Sequence, residues 1–254
     1  MLLAFWISFL AFLTLAHASP ECYTQGYPES VKIANSSKIV LRDGTTFPYS
    51  IINEDLLWNQ KVDRADLKMQ LSQPYDAGGI STPPTYLFDP GRLRYQPFFQ
   101  ALYGKSKQAI EKNLVLIDWP TLAGKKKLRV SKINGVDKKL HAIGLEIARL
   151  PKDERIWAEG ACTYTYRVIK DTDRLSMHSF GIAIDLAPSK TQYWKDEAKE
   201  ETAHIGYKNT MPLSIVRIFE KHGFIWGGRW YHYDTMHFEY RPELLAPSCI
   251  NTHQ

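Results

Sequence analysis

Two short stretches concentrate side chains that can do chemistry. The first reads Ser176-Met177-His178-Ser179-Phe180-Gly181-Ile182-Ala183-Ile184-Asp185. An imidazole precedes a glycine, and the chain then enters an apolar segment that carries a carboxylate. A lone carboxylate among apolar neighbours is costly unless it is paired or bound to a metal. Gly181 permits a bend that brings His178 and Asp185 to one point. The second stretch, Trp230-Tyr231-His232-Tyr233-Asp234-Thr235-Met236-His237-Phe238-Glu239-Tyr240, sets Asp234 and His237 among large rings. His237 and Glu239 have strand parity and share a face. Asp234 and His237 do not, so Asp234 lies before the strand begins or a bulge intervenes. His232 is expected at a surface or stacked among tyrosines.

Together these residues suit a catalytic zinc site. Such a site needs three ligands from His, Asp or Glu, an open position for water, and a carboxylate base nearby. His178, Asp185 and His237 supply the ligands for one Zn2+ per chain, and Asp234 supplies the base. Glu239 either orients a ligand imidazole from behind or pairs with Arg241. A closed structural site is disfavoured, because those usually have four ligands dominated by cysteine. The chain has no H-E-x-x-H helix, no G-x-S-x-G elbow and no Walker-type phosphate loop.

The elements that must position these residues read as an α+β fold. Leu114 to Trp119 and Leu128 to Ile133 read as strands, with a turn at Asn134-Gly135. Asp137 can cap a helix whose apolar face is Leu140, Ile143, Ile147 and Leu150, stopped by Pro151. A second helix is expected from Pro212 to about His222, with Leu213, Val216 and Phe219 on its face and Gly223 at its end. Gly104 to Asn113 reads as a short helix. Ile182 to Ile184 reads as a buried strand, and Tyr231 to Tyr240 as one or two more. Residues 19–45 read as an extended arm and 74–97 as a proline- and glycine-rich loop. Helices and strands do not alternate regularly, which argues against a doubly wound sheet.

Composition bounds the rest. With 44% hydrophobic, 13% aromatic and 23% charged residues among 254, the chain is neither disordered nor fibrous and can bury a sizeable core. Lys and Arg total 32 against 27 Asp and Glu, a net charge of +5 too diffuse to argue for nucleic acid. Leu2 to Leu15 is an apolar run broken only by Ser8 and Thr14, and Ala16-His17-Ala18 follows it. Residues 1–18 therefore read as a secretory signal cleaved after Ala18, the alternative being an uncleaved anchor. Export to a periplasm or the extracellular space makes a disulfide between Cys22 and Cys249, near the ends of the mature chain, plausible. Cys162 is then unpaired and is expected to be a buried small hydrophobe.

The segment from Gly160 through Arg167 to Leu186, and that from Gly223-Phe224-Ile225-Trp226-Gly227-Gly228 to Glu239, resemble the zinc D-alanyl-D-alanine carboxypeptidases. This family includes vancomycin-resistance D,D-peptidases and L-alanyl-D-glutamate peptidases. Its S-x-H-x-x-G-x-A-x-D pattern is met by Ser176, His178, Gly181, Ala183 and Asp185, and its acid-x-x-His by Asp234 and His237. Asp89-Pro90-Gly91-Arg92 and Asn134-Gly135-Val136-Asp137 resemble an exported bacterial subgroup. The resemblance implies that His178, Asp185 and His237 bind zinc and that Asp234 is the general base. It places Arg167 where an arginine polarises the scissile carbonyl or holds substrate, and gives Ser176 a substrate-binding role. The D,D-dipeptidase branch has Glu where Asp234 stands, whereas the L-alanyl-D-glutamate branch has Asp.

The fold it implies is a small central antiparallel sheet flanked by helices, with an open zinc cleft. Residues 136–254 would be the catalytic domain and 19–135 an N-terminal extension partly packed on it. The expected function is hydrolysis of peptidoglycan stem peptides by a monomer with no stable membrane insertion after signal cleavage. D-alanyl-D-alanine carboxypeptidase comes first and L-alanyl-D-glutamate endopeptidase second. A non-catalytic zinc-containing binding module is the alternative of a different class, and the presence of Asp234 favours the enzyme.

Overall fold

The structure, a computed structural model, describes residues 19–52, 56–79, 83–198 and 205–249. The signal assigned to residues 1–18 lies outside them. The fold is α+β, and its sheets are small and antiparallel. β1 (Val31–Ala34), β2 (Lys38–Leu41) and β3 (Thr46–Pro48) form a meander, and β4 (Leu114–Thr121) and β5 (Gly124–Ser131) form a hairpin. β6 (Ala183–Asp185), β7 (Phe224–Trp226) and β8 (His237–Tyr240) form a third sheet in the order β6-β8-β7.

The N-terminal stretch is not an extended arm. It holds a helix, Glu21–Gly26, followed by the meander. Its strands are only three or four residues long, too short for alternation to stand out against their turn residues. The Asn35 carboxamide oxygen accepts from the N–H groups of Ser37 and Lys38 at 3.0 and 2.9 Å and turns β1 into β2. Val31, Ile39 and Leu41 then bury beside Tyr27 and Phe98.

The supposed loop at 74–97 ends sooner than its composition suggests, because a helix, Gln96–Tyr103, starts with Pro97 in its first turn. Phe98, Phe99, Leu102 and Tyr103 are its buried face. The helix expected at 104–113 is shorter, Lys107–Glu111, capped by the Ser106 hydroxyl. The first hairpin strand runs past Trp119 to Thr121, while the second starts earlier than expected, at Gly124, and ends at Ser131, before Ile133; they pair from Leu114↔Ser131 to Thr121↔Gly124. Asn134 and Gly135 turn the chain with φ of 54° and 68°. The next helix starts at Val136 and ends at Ile147. Gly135 is its cap and Asp137 lies in its first turn instead. Leu140, Ile143 and Ile147 are its buried face, as their spacing predicts.

The helix Leu213–Lys221 has Pro212 as its cap, and Gly223 follows with φ of 87°. Its Phe219 ring stacks on Phe238 of β8 with centroids 4.1 Å apart. That stack fixes the site sheet against the helix. One hydrophobic cluster extends from Cys22 to Cys249, and these two residues form a disulfide. Among the described residues, no helix is long and apolar enough to cross a membrane.

Candidate active site and metal centre

His178 sits in a 3-10 turn, Met177–Phe180, capped by the Ser176 hydroxyl, which accepts from the His178 N–H at 3.4 Å. Gly181 ends the turn with φ of 69° and sends the chain into β6. A Cβ there would lie 2.5 Å from Leu114 Cδ2 and 3.0 Å from the Ser131 backbone nitrogen, so conformation and space both require glycine. β6 then pairs with β8 so that Asp185 stands opposite His237 and Ala183 opposite Glu239. Asp234 lies in the turn before β8, where its N–H donates to Gly227 at 3.0 Å and its carbonyl accepts from His237 at 3.1 Å. The parity mismatch is thereby resolved without a bulge.

Three side chains converge. His178 Nε2 is 3.1 Å from Asp185 Oδ1, His237 Nδ1 is 3.0 Å from the same oxygen, and the two ring nitrogens are 3.2 Å apart. Each imidazole is fixed from behind. His178 Nδ1 faces the Thr163 carbonyl at 2.6 Å, and His237 Nε2 faces Glu239 Oε2 at 3.0 Å. A proton on each of those rear nitrogens leaves both lone pairs and a carboxylate oxygen facing one another. Such a set repels itself unless a cation lies among them. Three donor atoms about 3.3 Å apart are also what tetrahedral ligands at about 2.0 Å from one ion require. The donor set therefore fits zinc.

The electrostatics agree. Burial opposes charge on His237, but its hydrogen bonds to the Asp185 and Glu239 carboxylates, and their charges, raise it to about 10. Burial also opposes ionisation of Asp185, yet the two imidazoles hold it well below the usual carboxylate range. The site demands positive charge, and a proton supplies it when no metal does.

Asp234 behaves differently. Burial pushes its carboxyl up to about 6 against the favourable charge of His237, and its Oδ1 is buried without a hydrogen-bond partner among the described residues. A carboxyl that is ionised at neutral pH but still basic suits proton transfer.

Glu239 does both things its position suggested. Besides His237, it binds Arg241 Nη1 at 3.0 Å and Arg94 Nε and Nη2 at 3.1 and 2.5 Å. Arg241 continues to Glu243, which accepts from Tyr27 Oη at 2.7 Å and Gln70 Nε2 at 3.2 Å. Burial disfavours the Glu239 charge, but Arg94, His237 and Arg241 hold its carboxyl far down. Glu239, Arg241 and Glu243 are fully buried. Arg94 and Tyr27 come from the N-terminal half, so that half completes the support of a candidate ligand.

Arg167 is exposed, and its guanidinium makes no hydrogen bond among the described residues, although its charge reaches the Cys162 thiol. Cys162 is a correction. It is an exposed free thiol rather than a core residue, paired by backbone to Asp185 with its sulfur 4.0 Å from Asp185 Oδ2. Burial and the Asp185 charge push this thiol up. His232 is not at the surface, and among the described residues only Tyr231 of the expected tyrosines packs on its ring. It is buried against Trp58, Trp194 and Tyr231, and its Nδ1 is 2.6 Å from Asp89.

Sequence reasoning named Arg92 only within the Asp89-Pro90-Gly91-Arg92 stretch, without a role, and missed Arg94 and Thr163. The alternation Arg92-Leu93-Arg94 around a buried leucine was the available signal for the arginines. A backbone carbonyl such as that of Thr163 leaves none.

Residues 170–240 match the family model described as D-alanyl-D-alanine carboxypeptidase. That span contains all three candidate metal ligands, Asp234 and Glu239. No curated protein and no solved structure matches the chain significantly.

Proposed function

We propose that this chain, a peptidase of the zinc D,D-peptidase family by the match over residues 170–240, is an exported zinc enzyme that cuts peptidoglycan stem peptides. The observation that carries the reading is the convergence of His178, Asp185 and His237, within 4.8 Å of one another, beside a buried carboxyl at Asp234. A zinc ion held by these three would lower the pKa of a bound water to about 7 and polarise a peptide carbonyl.

The remaining chemistry belongs to the chain. Asp234 takes the proton of the attacking water and returns it to the leaving amine. The developing oxyanion is assigned to Arg167, and losing such a contact costs about 3 kcal/mol of barrier. Glu239 keeps His237 in the tautomer that leaves Nδ1 free. Ser176 is retained as a substrate-binding residue, its hydroxyl also capping the turn that carries His178. We also retain the division into a 136–254 catalytic part and a supporting 19–135 part, and a monomeric state.

D-alanyl-D-alanine carboxypeptidase is the leading activity. The L-alanyl-D-glutamate endopeptidase is the second, favoured by Asp rather than Glu at 234. Mass spectrometry of pentapeptide muropeptides after incubation with the mature protein tests both, with chelated and zinc-restored controls. Loss of one terminal alanine establishes the first, and a cut between L-Ala and D-Glu the second. No cut by zinc-loaded protein would leave a binding module.

A further inference from the structure

The β4–β5 hairpin and the Val136–Ile147 helix approach closely at Gly144, where a Cβ would lie 3.0 Å from Pro120 Cδ and 3.5 Å from Trp119 Cε3. The same residues line a cavity of about 340 Å³. Trp119, Ile147 and Ala158 are its buried apolar lining. Leu122 and Leu145 line it too, yet they are 42% and 51% exposed, which leaves an apolar mouth open to solvent. Sites for small ligands begin at about this volume and are built in this way, apolar with a few polar groups. None of the three candidate metal ligands lines the cavity, nor does Asp234 or Arg167.

The charged side chains of the lining are Asp118, Lys125 and Arg155, with His141 beside them. Asp118 is already held by Lys127 at 2.6 Å and by Lys125 at 3.5 Å. Arg155 differs. It ends the short helix Lys152–Arg155 and is half-buried. Its Nε is buried without a hydrogen-bond partner, and among the described residues its guanidinium makes no ion pair. The acids near it in sequence are engaged or turned to water. Glu154 accepts from the Ser214 hydroxyl, Glu159 accepts from the Leu122 N–H, and Asp153 is exposed. An N–H that has left water and found no acceptor costs free energy. A carboxylate supplies the acceptor and the countercharge together, and its bonds to an arginine are among the strong ones.

We propose that this cavity binds a small amphipathic acid, an acyl or aromatic chain ending in a carboxylate. The chain lies against Trp119, Leu122 and Leu145, and the carboxylate meets Arg155. Both parts of the ligand are needed. An uncharged chain fills the apolar lining but leaves the arginine without its anion, and a short carboxylate does the reverse.

Isothermal calorimetry on the mature chain tests this with octanoate, octanamide and acetate as probes. It needs no cleavage, so its outcome is separate from that of the peptidase reading. Wild type is expected to bind octanoate with a Kd below about 1 mM. Octanamide and acetate should each bind at least about tenfold more weakly. Arg155→Gln should bring octanoate to within about threefold of octanamide, and Arg155→Lys should keep part of the difference. Ala148 is an exposed residue of the lining, so Ala148→Trp should block the cavity and lose octanoate and octanamide alike. Circular dichroism confirms that each variant is folded. If Arg155→Gln does not fold, Ala148→Trp and the comparison of acid with amide in wild type decide. No octanoate binding to wild type, or equal affinity for octanoate and octanamide, would overturn the proposal. So would an undiminished octanoate preference in Arg155→Gln, or octanoate binding that survives Ala148→Trp in full.

Discussion

Both candidate imidazoles offer their lone pairs to one point because a carbonyl and a carboxylate take their other nitrogens. His178→Ala and His237→Ala should each abolish zinc binding and turnover together, read by metal content and peptide cleavage. A fully active His178→Ala protein would remove that residue from the ligand set. Asp234→Asn should keep one zinc per chain and lose about 10²- to 10⁴-fold in kcat. Zinc entry should also release a proton. With His237 raised to about 10, the metal-free site carries that proton at pH 7 and must give it up to bind the ion. Apparent zinc affinity should therefore rise with pH, about tenfold per unit between pH 7 and 9, and level off above the His237 value. Calorimetry in buffers of differing ionisation enthalpy would count the proton, and a count of zero would mean that His237 is neutral without metal. The candidate ligands were legible in the sequence because an acid and two histidines in apolar surroundings demand an explanation. Their supports were not, since the Thr163 contact is backbone and Arg94 is far away in the chain.

Strand β8 shows what an element contributes that a motif does not. Its alternation places His237, Glu239 and, just past its end, Arg241 in one buried line. Antiparallel pairing sets Asp185 directly across from His237, so register alone brings two candidate ligands together. Parity in the sequence indicated the shared face of His237 and Glu239. It could not indicate that Arg94 would close the line from a stretch whose composition reads as loop. Arg94→Ala leaves Glu239 with Arg241 and His237 only, and loosens the carboxylate that orients a ligand ring. Zinc affinity should fall about 10- to 100-fold, measured by competition with a chromogenic chelator, with Arg94→Lys recovering part of it. Unchanged affinity in Arg94→Ala would assign that arginine to packing alone.

At the scale of the molecule, residues before 136 are structural partners of those after it. The meander and the Glu21–Gly26 helix lie in the same hydrophobic cluster as Phe219, Trp226 and Phe238. Tyr27 reaches Glu243, Tyr75 reaches Glu220 at 2.7 Å, and Asp89 meets His232. None of these long-range pairs has a local sequence signature, which is why the first half read as featureless while the second half read as a site. The disulfide was legible only because two cysteines stood near the ends of a chain whose sequence reads as exported. It joins Cys22 to Cys249 across 227 positions with Cα atoms 5.9 Å apart. A link that closes so long a loop restricts the unfolded chain strongly and contributes about 2–5 kcal/mol in the chain-entropy account. For a chain of this size that corresponds to a fall in Tm of about 5–15 °C for the Cys22→Ser, Cys249→Ser double variant. The same helix that carries Cys22 packs against the Pro242–Leu245 turn holding Glu243. Loss of the link should therefore loosen the Glu243–Arg241–Glu239 line before it unfolds the chain. Zinc affinity measured below the new Tm should fall along with stability. A double variant that melts earlier yet binds zinc as tightly as wild type would show that the termini stabilise the fold without reaching the site.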